Sequence, residues 1–339
     1  MGRRVHDPDE LGSLRRKMGC PQRRTVMGSV PMRSRPPSLS DDVIAGTVAE
    51  HWLPENARIT AAGYLPWGFG AHHWRICGGG TTLFVTLDQL APRHTAASLE
   101  AAYAGAAALA AGGLAAVCAP LPQRSGRFTV AVAGGALSVT PWLDGRTPTE
   151  AEAREPAHLG EVTDALAALH GTEPPAGLPV WAPQVGPAFA DEVRARTARP
   201  WTTGPLGEEA RTAVAARVDA IRRWTARYHR LAGSALAHRE RWVPTHGEPH
   251  YANQLVGPFG LRLVDWESLA LAPRERDYGD LLAAGAAVPH DPALLELFAL
   301  DWRLSEIAAY TRWFAAPHLG NDDDHTALAG LREELADPD

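Results

Sequence analysis

The segment THGEPHYANQLVGPFGLRLVDWE (residues 245–267) contains the side chains that decide what this chain can be. Two histidines flank the carboxylate of Glu248, and Asn253 completes a closely spaced polar set. A second carboxylate, Asp265, follows twelve residues after the asparagine. Such a set can be a metal site, the base of a hydrolase, or a catalytic loop of another kind.

The spacing of these side chains disfavours a zinc site. Zinc proteases have adjacent His and Glu on a helix, with a second His four residues after the first. Here Gly247 separates His246 from Glu248, and Pro249 would disrupt a helix interior. Zinc deaminases combine H-x-E with a later P-C-x-x-C, but the three cysteines of this chain form no C-x-x-C pair.

The same spacing suits phosphoryl transfer. That reaction needs a carboxylate for the acceptor hydroxyl, together with an Asn and an Asp that converge on Mg²⁺. Glu248 would provide the first group, and Asn253 and Asp265 the other two, on either side of a short predicted hairpin.

The segment resembles the signature of the aminoglycoside phosphotransferase-like family, relatives of the protein kinases. That signature reads H-G-D-x-H-x-x-N, then a strand, D-[WF]-[DE], and a further Asp about a dozen residues later. The matching residues are His246, Gly247, His250, Asn253, the DWE triplet at 265–267, and Asp277. The resemblance covers roughly residues 55–320, and in particular is to an actinobacterial branch with HGEPH, often described as aminoglycoside or spectinomycin-type phosphotransferases.

The resemblance implies an α+β, two-lobed, protein-kinase-like fold. A small β-rich N-lobe would span residues 39–141, and a large, mainly helical C-lobe residues 142–335. The implied activity is that of a small-molecule kinase that uses ATP, or alternatively GTP, with Mg²⁺. Glu248 would be the catalytic base, and Asn253 and Asp265 the metal ligands. The residues expected to support the loop are His246, His250, Glu267 and Asp277.

The pattern of predicted elements gives the same order of a β-rich half, a hinge and a helical half. The first half has a helix capped by Ser40, one further helix and several strands; the ranges are 40–53, 57–65, 72–78, 81–87, 96–111, 127–132 and 136–140. Gly78–Gly80 is the predicted hairpin turn. Helices dominate the second half, with one strand pair; the ranges are 150–170, 187–197, 206–231, 242–246 with 254–265, 278–287 and 292–316.

Two stretches of the first half are candidates for nucleotide contact. In LPWGFGAHHW (65–74), Gly68 and Gly70 would let backbone N–H groups approach the ATP phosphates. VTPWLDG (139–145) stands where the family's hinge would hold adenine, which nominates Thr140 and Trp142. A plain β-turn and a plain linker between the lobes are the alternatives.

The catalytic base departs from the family pattern, because Glu248 replaces the usual Asp. The extra methylene moves the carboxylate by about 1.3 Å, and misplacement by about 1 Å can cost around 100-fold in rate. The resembling branch shares this Glu, so we expect a working base. A structural carboxylate that binds loop N–H groups is the alternative.

A second departure removes the family's lysine on the third strand, which contacts the α/β-phosphates. The matching position in LFVTLDQL (83–90) is Thr86, and the only lysine of the chain is Lys17. Arg75 on the preceding strand is a candidate for the missing cation, and Glu100 for the helix glutamate that pairs with it. Ordinary solvated roles are the alternatives for both.

These departures leave a rival function open, that of a pseudokinase which binds nucleotide or a partner without catalysis. The missing lysine and the altered base support it. The retained Asn253 and Asp265 oppose it, because a catalytically inactive site has no physical need for two metal ligands.

The charge distribution favours a cationic small molecule as partner. Residues 1–37, predicted with residue 38 to form a disordered basic tail, contain nine basic and three acidic side chains, so a chain of net charge −6 has a body of −12. An acidic body attracts cations and repels nucleic acid. Acidic residues of the predicted helical lobe that could receive such an acceptor are Asp191, Glu192, Glu208, Glu209, Asp219, Asp301, Glu306 and Asp322 to Asp324.

The sequence predicts neither a secretory signal nor a membrane span. The basic N-terminus has no apolar core, and three scattered cysteines predict no disulfide framework, which favours the reducing cytoplasm. The uncharged stretch 101–122 consists mostly of Ala and Gly and is broken by Gly112-Gly113, Pro120 and Pro122, so we expect a buried helix followed by a loop there.

Overall fold

The computed structural model describes residues 35–36, 39–67, 71–91 and 93–336. The predicted tail (1–38) therefore lies outside the described residues except for residues 35 and 36. Gly68 and Gly70, predicted to approach the nucleotide, lie outside them as well. The described chain forms one lobe around a sheet and one lobe of helices, which confirms the predicted two-lobed α+β architecture.

The sheet lobe begins with helix α1 (Asp41–His51), which is capped as predicted: the Ser40 hydroxyl accepts the Val43 N–H at 3.2 Å. The five strands are β1 (Ile59–Leu65), β2 (Ala71–Gly78), β3 (Thr81–Asp88), β4 (Val130–Val132) and β5 (Gly135–Pro141). They form an antiparallel sheet in the order β1-β2-β3-β5-β4. Gly79 and Gly80 both have positive φ and form the two-residue turn between β2 and β3.

The two faces of this sheet have different roles. Trp74, Ile76 and Val85 are fully buried and pack toward α1 in the core of the lobe. The opposite face carries the residues that alternate with them, including Thr86 and Arg75. Three nucleotide candidates, Thr86, Arg75 and Thr140, therefore share the face that is turned away from the core.

Helix α2 (Ala96–Ala111) joins the two lobes. Its buried residues Ala102, Ala106 and Leu109 belong to a core that also contains Leu166 and Trp266 of the helical lobe. The first half of the apolar stretch 101–122 is thus part of this buried helix, and the second half is turn and loop, as predicted. In the part of the chain that the structure describes, no helix has the length and apolarity required to cross a membrane.

The helical lobe contains the following helices: α3 (Pro156–His170), α4 (Phe189–Thr197), α5 (Gly207–Ala215), α6 (Val218–Leu236), α7 (Gly279–Ala284), α8 (Pro292–Ala315) and α9 (Asp322–Leu335). The predicted helix 206–231 is wrong, because α5 and α6 are separate. The break falls at Arg217, which is non-helical although neither Gly nor Pro is near it. Helix α9 was not predicted; it begins at a capping box between Asn321 and Asp324.

The strand predictions for this lobe are partly confirmed. Strand β6 (Val243–Thr245) pairs with β9 (Ala270–Ala272), whereas β7 (Gln254–Gly257) and β8 (Gly260–Leu263) form a separate hairpin. The short hairpin predicted between Asn253 and Asp265 is confirmed, but the predicted pairing of 242–246 with 254–265 is wrong. The consequence is that residues 246–253 and residue 265 are held between two short ladders.

Candidate active site

The loop after β6 and the turn after β8 meet at one point. The Val264 N–H donates to the Asn253 carbonyl at 3.0 Å, immediately before Asp265. The Asn253 amide nitrogen in turn donates to the Glu248 carbonyl at 3.0 Å. Glu248, Asn253 and Asp265 are thus tied together by backbone contacts, although they are spread over 18 positions of sequence.

The carboxylate of Asp277 binds the backbone of the loop 246–253. It is fully buried and accepts the backbone N–H groups of His246 at 3.0 Å and Gly247 at 2.6 Å. His170, from the last turn of α3, donates through Nε2 to the same carboxylate at 2.8 Å. Burial alone would raise the pKa of Asp277, but these donors hold it below its ordinary value, so the group is ionised.

His246 connects the candidate base with the candidate metal-binding turn. Its Nε2 lies 2.9 Å from the Val264 carbonyl, and its Nδ1 accepts the Glu248 N–H at 3.3 Å. This pattern assigns the proton to Nε2 of a neutral imidazole. Burial lowers the pKa of His246 to about 4, against the smaller opposing effect of Asp277.

Gly247 is required by two features of the loop. Its φ of +96° lies in the left-handed region, and a Cβ there would come within 2.6 Å of the Arg276 guanidinium. Arg276 donates to the Ser268 carbonyl at 2.8 Å and to the Thr245 hydroxyl at 3.0 Å. The glycine therefore lets a partly buried guanidinium fasten the loop to the chain that follows Asp265.

Asn253 and Asp265 present oxygens suited to a hard cation. The nitrogen of the Asn253 amide is engaged, which leaves Oδ1 as its ligand atom. The Asp265 carboxylate receives no hydrogen bond from the described residues, and its backbone is left-handed, with φ of 68°. Carboxylate and amide oxygens suit Mg²⁺, and such a strained conformation is often kept at functional positions.

Further carboxylates crowd this turn. Asp265 retains exposed surface, yet desolvation by the surrounding protein, followed by the charges of Glu267 and Glu248, raises its pKa well above the ordinary value. Glu267 itself lies 3.6 Å from His94. No group of three or more His, Cys, Asp or Glu suited to hold a metal alone occurs in the described part of the chain, so a bound cation would need ligands from elsewhere, such as phosphate oxygens.

The carboxylate of Glu248 has an unpredicted partner. Arg93, in the loop before α2, donates to Glu248 Oε1 at 3.2 Å. The Ser268 hydroxyl lies 3.4 Å from the same oxygen. A contact thus crosses from the sheet lobe to the candidate base.

The position of the missing lysine is occupied by a pair of small polar groups. Thr86 lies directly opposite His73 on β2, and its hydroxyl is 3.2 Å from His73 Nδ1. Burial lowers the pKa of His73 to about 4, so the imidazole is neutral at pH 7. Arg75 pairs instead with Phe84, two residue pairs farther along the strands, so the structure does not bring it to Thr86.

Arg75 belongs to an aromatic cluster beside the hinge. Its guanidinium lies 4.8 Å from the ring centroid of Trp142. Trp142 and Trp67 both lie within 6.5 Å of Phe84, ring to ring, and Thr140 pairs with Phe84 across the strands. These side chains form a largely aromatic surface, to which a purine ring could stack.

Glu100 does not face this surface. Its carboxylate accepts the N–H groups of Phe128 at 2.7 Å and Thr129 at 3.0 Å, which orders the segment before β4. The helix side chain that reaches toward the end of β3 is Tyr103, whose hydroxyl donates to the buried Asp88 at 2.7 Å. The interpretation of Glu100 as the partner of a strand cation is therefore not supported.

Comparison with known proteins identifies the family. Residues 65–314 match the family described as phosphotransferase enzyme family (APH). The chain belongs to this family. It is accordingly a phosphotransferase that acts on a hydroxyl acceptor, as the sequence predicted.

Individual relatives of the phosphotransferase were found by sequence and by structure. Protein StrN of Streptomyces griseus is 30% identical over 302 residues, which cover 84% of this chain and 90% of the relative. The spectinomycin phosphotransferase APH(9)-Ia, solved with ADP and spectinomycin, has a TM-score of 0.66 at 15% identity, covering 87% and 94% of the two chains. A microcompartment-associated aminopropanol kinase has a TM-score of 0.58 at 16% identity, covering 87% and 95%. These two structures show a shared kinase-like fold.

Several site residues of the phosphotransferase were missed by sequence reasoning. His170 and Arg93 lie 107 and 155 residues from the groups that they contact, so no local spacing marks them. Of the acidic residues proposed to receive an acceptor, Glu306 contacts Arg93. Others are engaged elsewhere: Asp191 with Arg222, and Asp301 with Trp181 and Tyr228.

Asp277→Asn should destabilise the phosphotransferase strongly. The amide would present N–H toward backbone N–H groups that need an acceptor, and breaking a buried network of this kind costs about 3 kcal/mol. Denaturant unfolding at pH 7 measures the change in the free energy of unfolding. Asp164→Asn, an exposed position on α3, is the matched control and should change it by less than about 0.5 kcal/mol. Equal effects of the two variants would contradict the bracing role.

The neutral state of His246 predicts a loss of stability in mild acid. Its folded pKa of about 4 lies below the unfolded value of 6.5, so the unfolded chain binds the proton first as the pH falls. The stability that depends on the neutral imidazole is complete above pH 6.5 and declines toward pH 4, by about 2 kcal/mol between pH 7 and pH 5. Denaturant unfolding at both pH values measures the free energy of unfolding. The difference in this free energy between wild type and His246→Asn should be smaller by this amount at pH 5 than at pH 7. A constant difference would show that His246 titrates normally.

Proposed function

We propose that this phosphotransferase transfers the γ-phosphoryl group of ATP to a hydroxyl of an aminoglycoside- or aminocyclitol-like acceptor. The observation that carries the proposal is the convergence of Glu248, Asn253 and Asp265 on one backbone-tied turn. GTP is the alternative donor. Modification of an antibiotic, and hence resistance to it, is the biological role that such an acceptor suggests.

Glu248 acts as the general base in this proposal. Its carboxylate belongs to the loop that Asp277 and His246 hold in place, and its side chain is 17% exposed, so a small hydroxyl can reach it. A base must lie about 2.6–3.2 Å from the oxygen whose proton it receives. The longer Glu side chain is accommodated because the loop is fixed at both Gly247 and Asn253.

Asn253 and Asp265 would hold Mg²⁺ in this proposal, with further ligands supplied by the phosphate oxygens of the nucleotide. The donor set fits the ion, since it offers one amide oxygen and one carboxylate that receives no hydrogen bond from the described residues. When bound, the ion would neutralise the charge that develops on the transferred phosphoryl group of ATP. Desolvation, and after it the charges of Glu267 and Glu248, raise the pKa of Asp265, and a cation held there would favour its ionised form.

The lysine-free sheet face binds the nucleotide in this proposal. The aromatic surface of Trp67, Phe84 and Trp142 stacks on the base. His73 and Thr86 offer hydrogen-bonding groups to the phosphates in place of an ammonium. Arg75, which lies over Trp142, contacts the base end rather than the phosphates.

The choice of acceptor rests on likeness and charge. The structural relative with a TM-score of 0.66 is a spectinomycin phosphotransferase solved with spectinomycin. The acidic body of this chain favours a cationic partner of that kind. An amino alcohol is the second candidate, because an aminopropanol kinase shares the fold.

The test is Mg²⁺-ATP turnover, measured as ADP release, against a pooled panel of aminoglycosides, aminocyclitols and amino alcohols. Glu248→Gln and Asp265→Asn should each lower the acceptor-dependent rate by about 100-fold or more, since one removes the base and the other a metal ligand. Glu248→Asp, which restores the residue of the family signature, should retain part of the activity.

Two exposed positions on α3 provide matched controls, Glu161→Gln and Asp164→Asn. Both should turn over at the wild-type rate. Activity that survives in Glu248→Gln would contradict the role of the base. Absence of ADP with every acceptor, together with absence of nucleotide binding, would favour the pseudokinase.

A further inference from the structure

Arg93 reaches from the sheet lobe into a cage on the helical lobe. It lies between β3 and α2, yet its guanidinium donates to Glu248 Oε1 at 3.2 Å and to Glu306 on α8. The guanidinium carbon also lies 5.0 Å from the ring centroid of Trp302, one turn before Glu306 on the same helix. Two carboxylates and one aromatic ring therefore surround a single cation.

The cage is fixed by its own surroundings. Glu306 is 8% exposed, and the Trp302 indole N–H donates to Glu334 at 3.0 Å, which sets the plane of the ring. Burial would lower the pKa of Arg93, but the carboxylates of Glu306 and Glu248 raise it, so the group stays charged. A guanidinium group binds carboxylates through N–H groups in its own plane and stacks its face on an aromatic ring, and this cage offers both kinds of contact.

This cation engages one of the two carboxylate oxygens of the candidate base. Glu248 Oε1 holds Arg93 at 3.2 Å, the same distance range in which a base must hold the hydroxyl of its substrate. An acceptor hydroxyl can approach that oxygen only when the guanidinium shares it or leaves. If a cationic group of the acceptor replaces the Arg93 guanidinium in its contacts with Glu306 and Trp302, the net charge of the site hardly changes.

We infer that Arg93 is an internal occupant of a guanidinium subsite, formed by Glu306 and Trp302 beside Glu248, and that the acceptor displaces it with a guanidinium group of its own. The inference rests on the proposed function for the identity of the base and deepens it, since it specifies the chemical class of the acceptor. Displacement frees Glu248 Oε1 for the hydroxyl when a cation of the right shape has arrived.

The direct test uses N-methylguanidinium as the probe and needs no turnover, so its outcome is independent of whether the kinase reaction is detected. Isothermal titration calorimetry of the full chain measures saturable binding at millimolar probe. Arg93→Ala vacates the subsite and should bind the probe, whereas the wild type should bind it at least about ten-fold more weakly because Arg93 competes. Arg93→Gln, which retains the length of the side chain without its charge, is the second variant should the alanine variant fold poorly.

Three comparisons define the subsite. Adding Glu306→Gln to Arg93→Ala should weaken probe binding by about ten-fold or more, since it removes the buried carboxylate. Methylurea, a neutral analogue, should not bind, and methylammonium should bind more weakly than the planar probe. Arg227→Ala is the matched control, because Arg227 pairs with Glu296 at an exposed site, and it should gain no binding.

The inference is overturned by equal probe affinity in wild type and Arg93→Ala, or by the absence of saturable binding in both folded Arg93 variants. Binding that persists unchanged after Glu306→Gln would likewise reject the assigned cage. Stronger binding of methylammonium than of N-methylguanidinium would reject the guanidinium class and leave an ammonium-bearing acceptor.

Discussion

The rest of the candidate site depends on one buried carboxylate, that of Asp277. It is the common acceptor of the His246 and Gly247 N–H groups and of the His170 side chain. Because His246 is positioned there, its two nitrogens can contact the Glu248 N–H on one side and the Val264 carbonyl on the other. The candidate base and the candidate metal turn are therefore both set relative to a group that touches neither nucleotide nor acceptor in the proposed reaction. An ionised carboxylate suits this task, since it accepts several donors at once.

Charge is the second constraint on this phosphotransferase. The described body contains no lysine, and Asp88, Glu248, Asp265 and Glu267 lie close enough to influence one another. Arg93 lies among them and reaches Glu248 from a loop of the sheet lobe. The strand position that carries an ammonium in the family signature holds a neutral His–Thr pair instead. In the proposed function, the remaining negative charge is offset by the divalent ion and by the cation of the acceptor, so substrate binding and electrostatic relief coincide.

The sequence predicted those features that depend on local spacing. The loop 246–253, the Asp265 turn and helices α1 and α2 lie where expected, because caps, turns and motif intervals act over a few residues. Sequence spacing did not reveal Arg93 or His170, which contact the site from more than 100 residues away. The position of His73 could have been predicted from the sequence. Counting residues outward from the Gly79–Gly80 turn places His73, rather than Arg75, opposite Thr86. The wrong pairing of the short strands in the helical lobe arose because three-residue ladders are selected by tertiary packing.

The measurement that tests the central claim most directly is calorimetric titration of the phosphotransferase with ATP in the presence and absence of Mg²⁺, for the wild type and for Asp265→Asn. If Asn253 and Asp265 hold the ion that carries the nucleotide, ATP binds the wild type at least about ten-fold more tightly with Mg²⁺, and the substitution removes this difference. ATP binding that is independent of Mg²⁺, or a Mg²⁺ effect that survives Asp265→Asn, would contradict the account of the site.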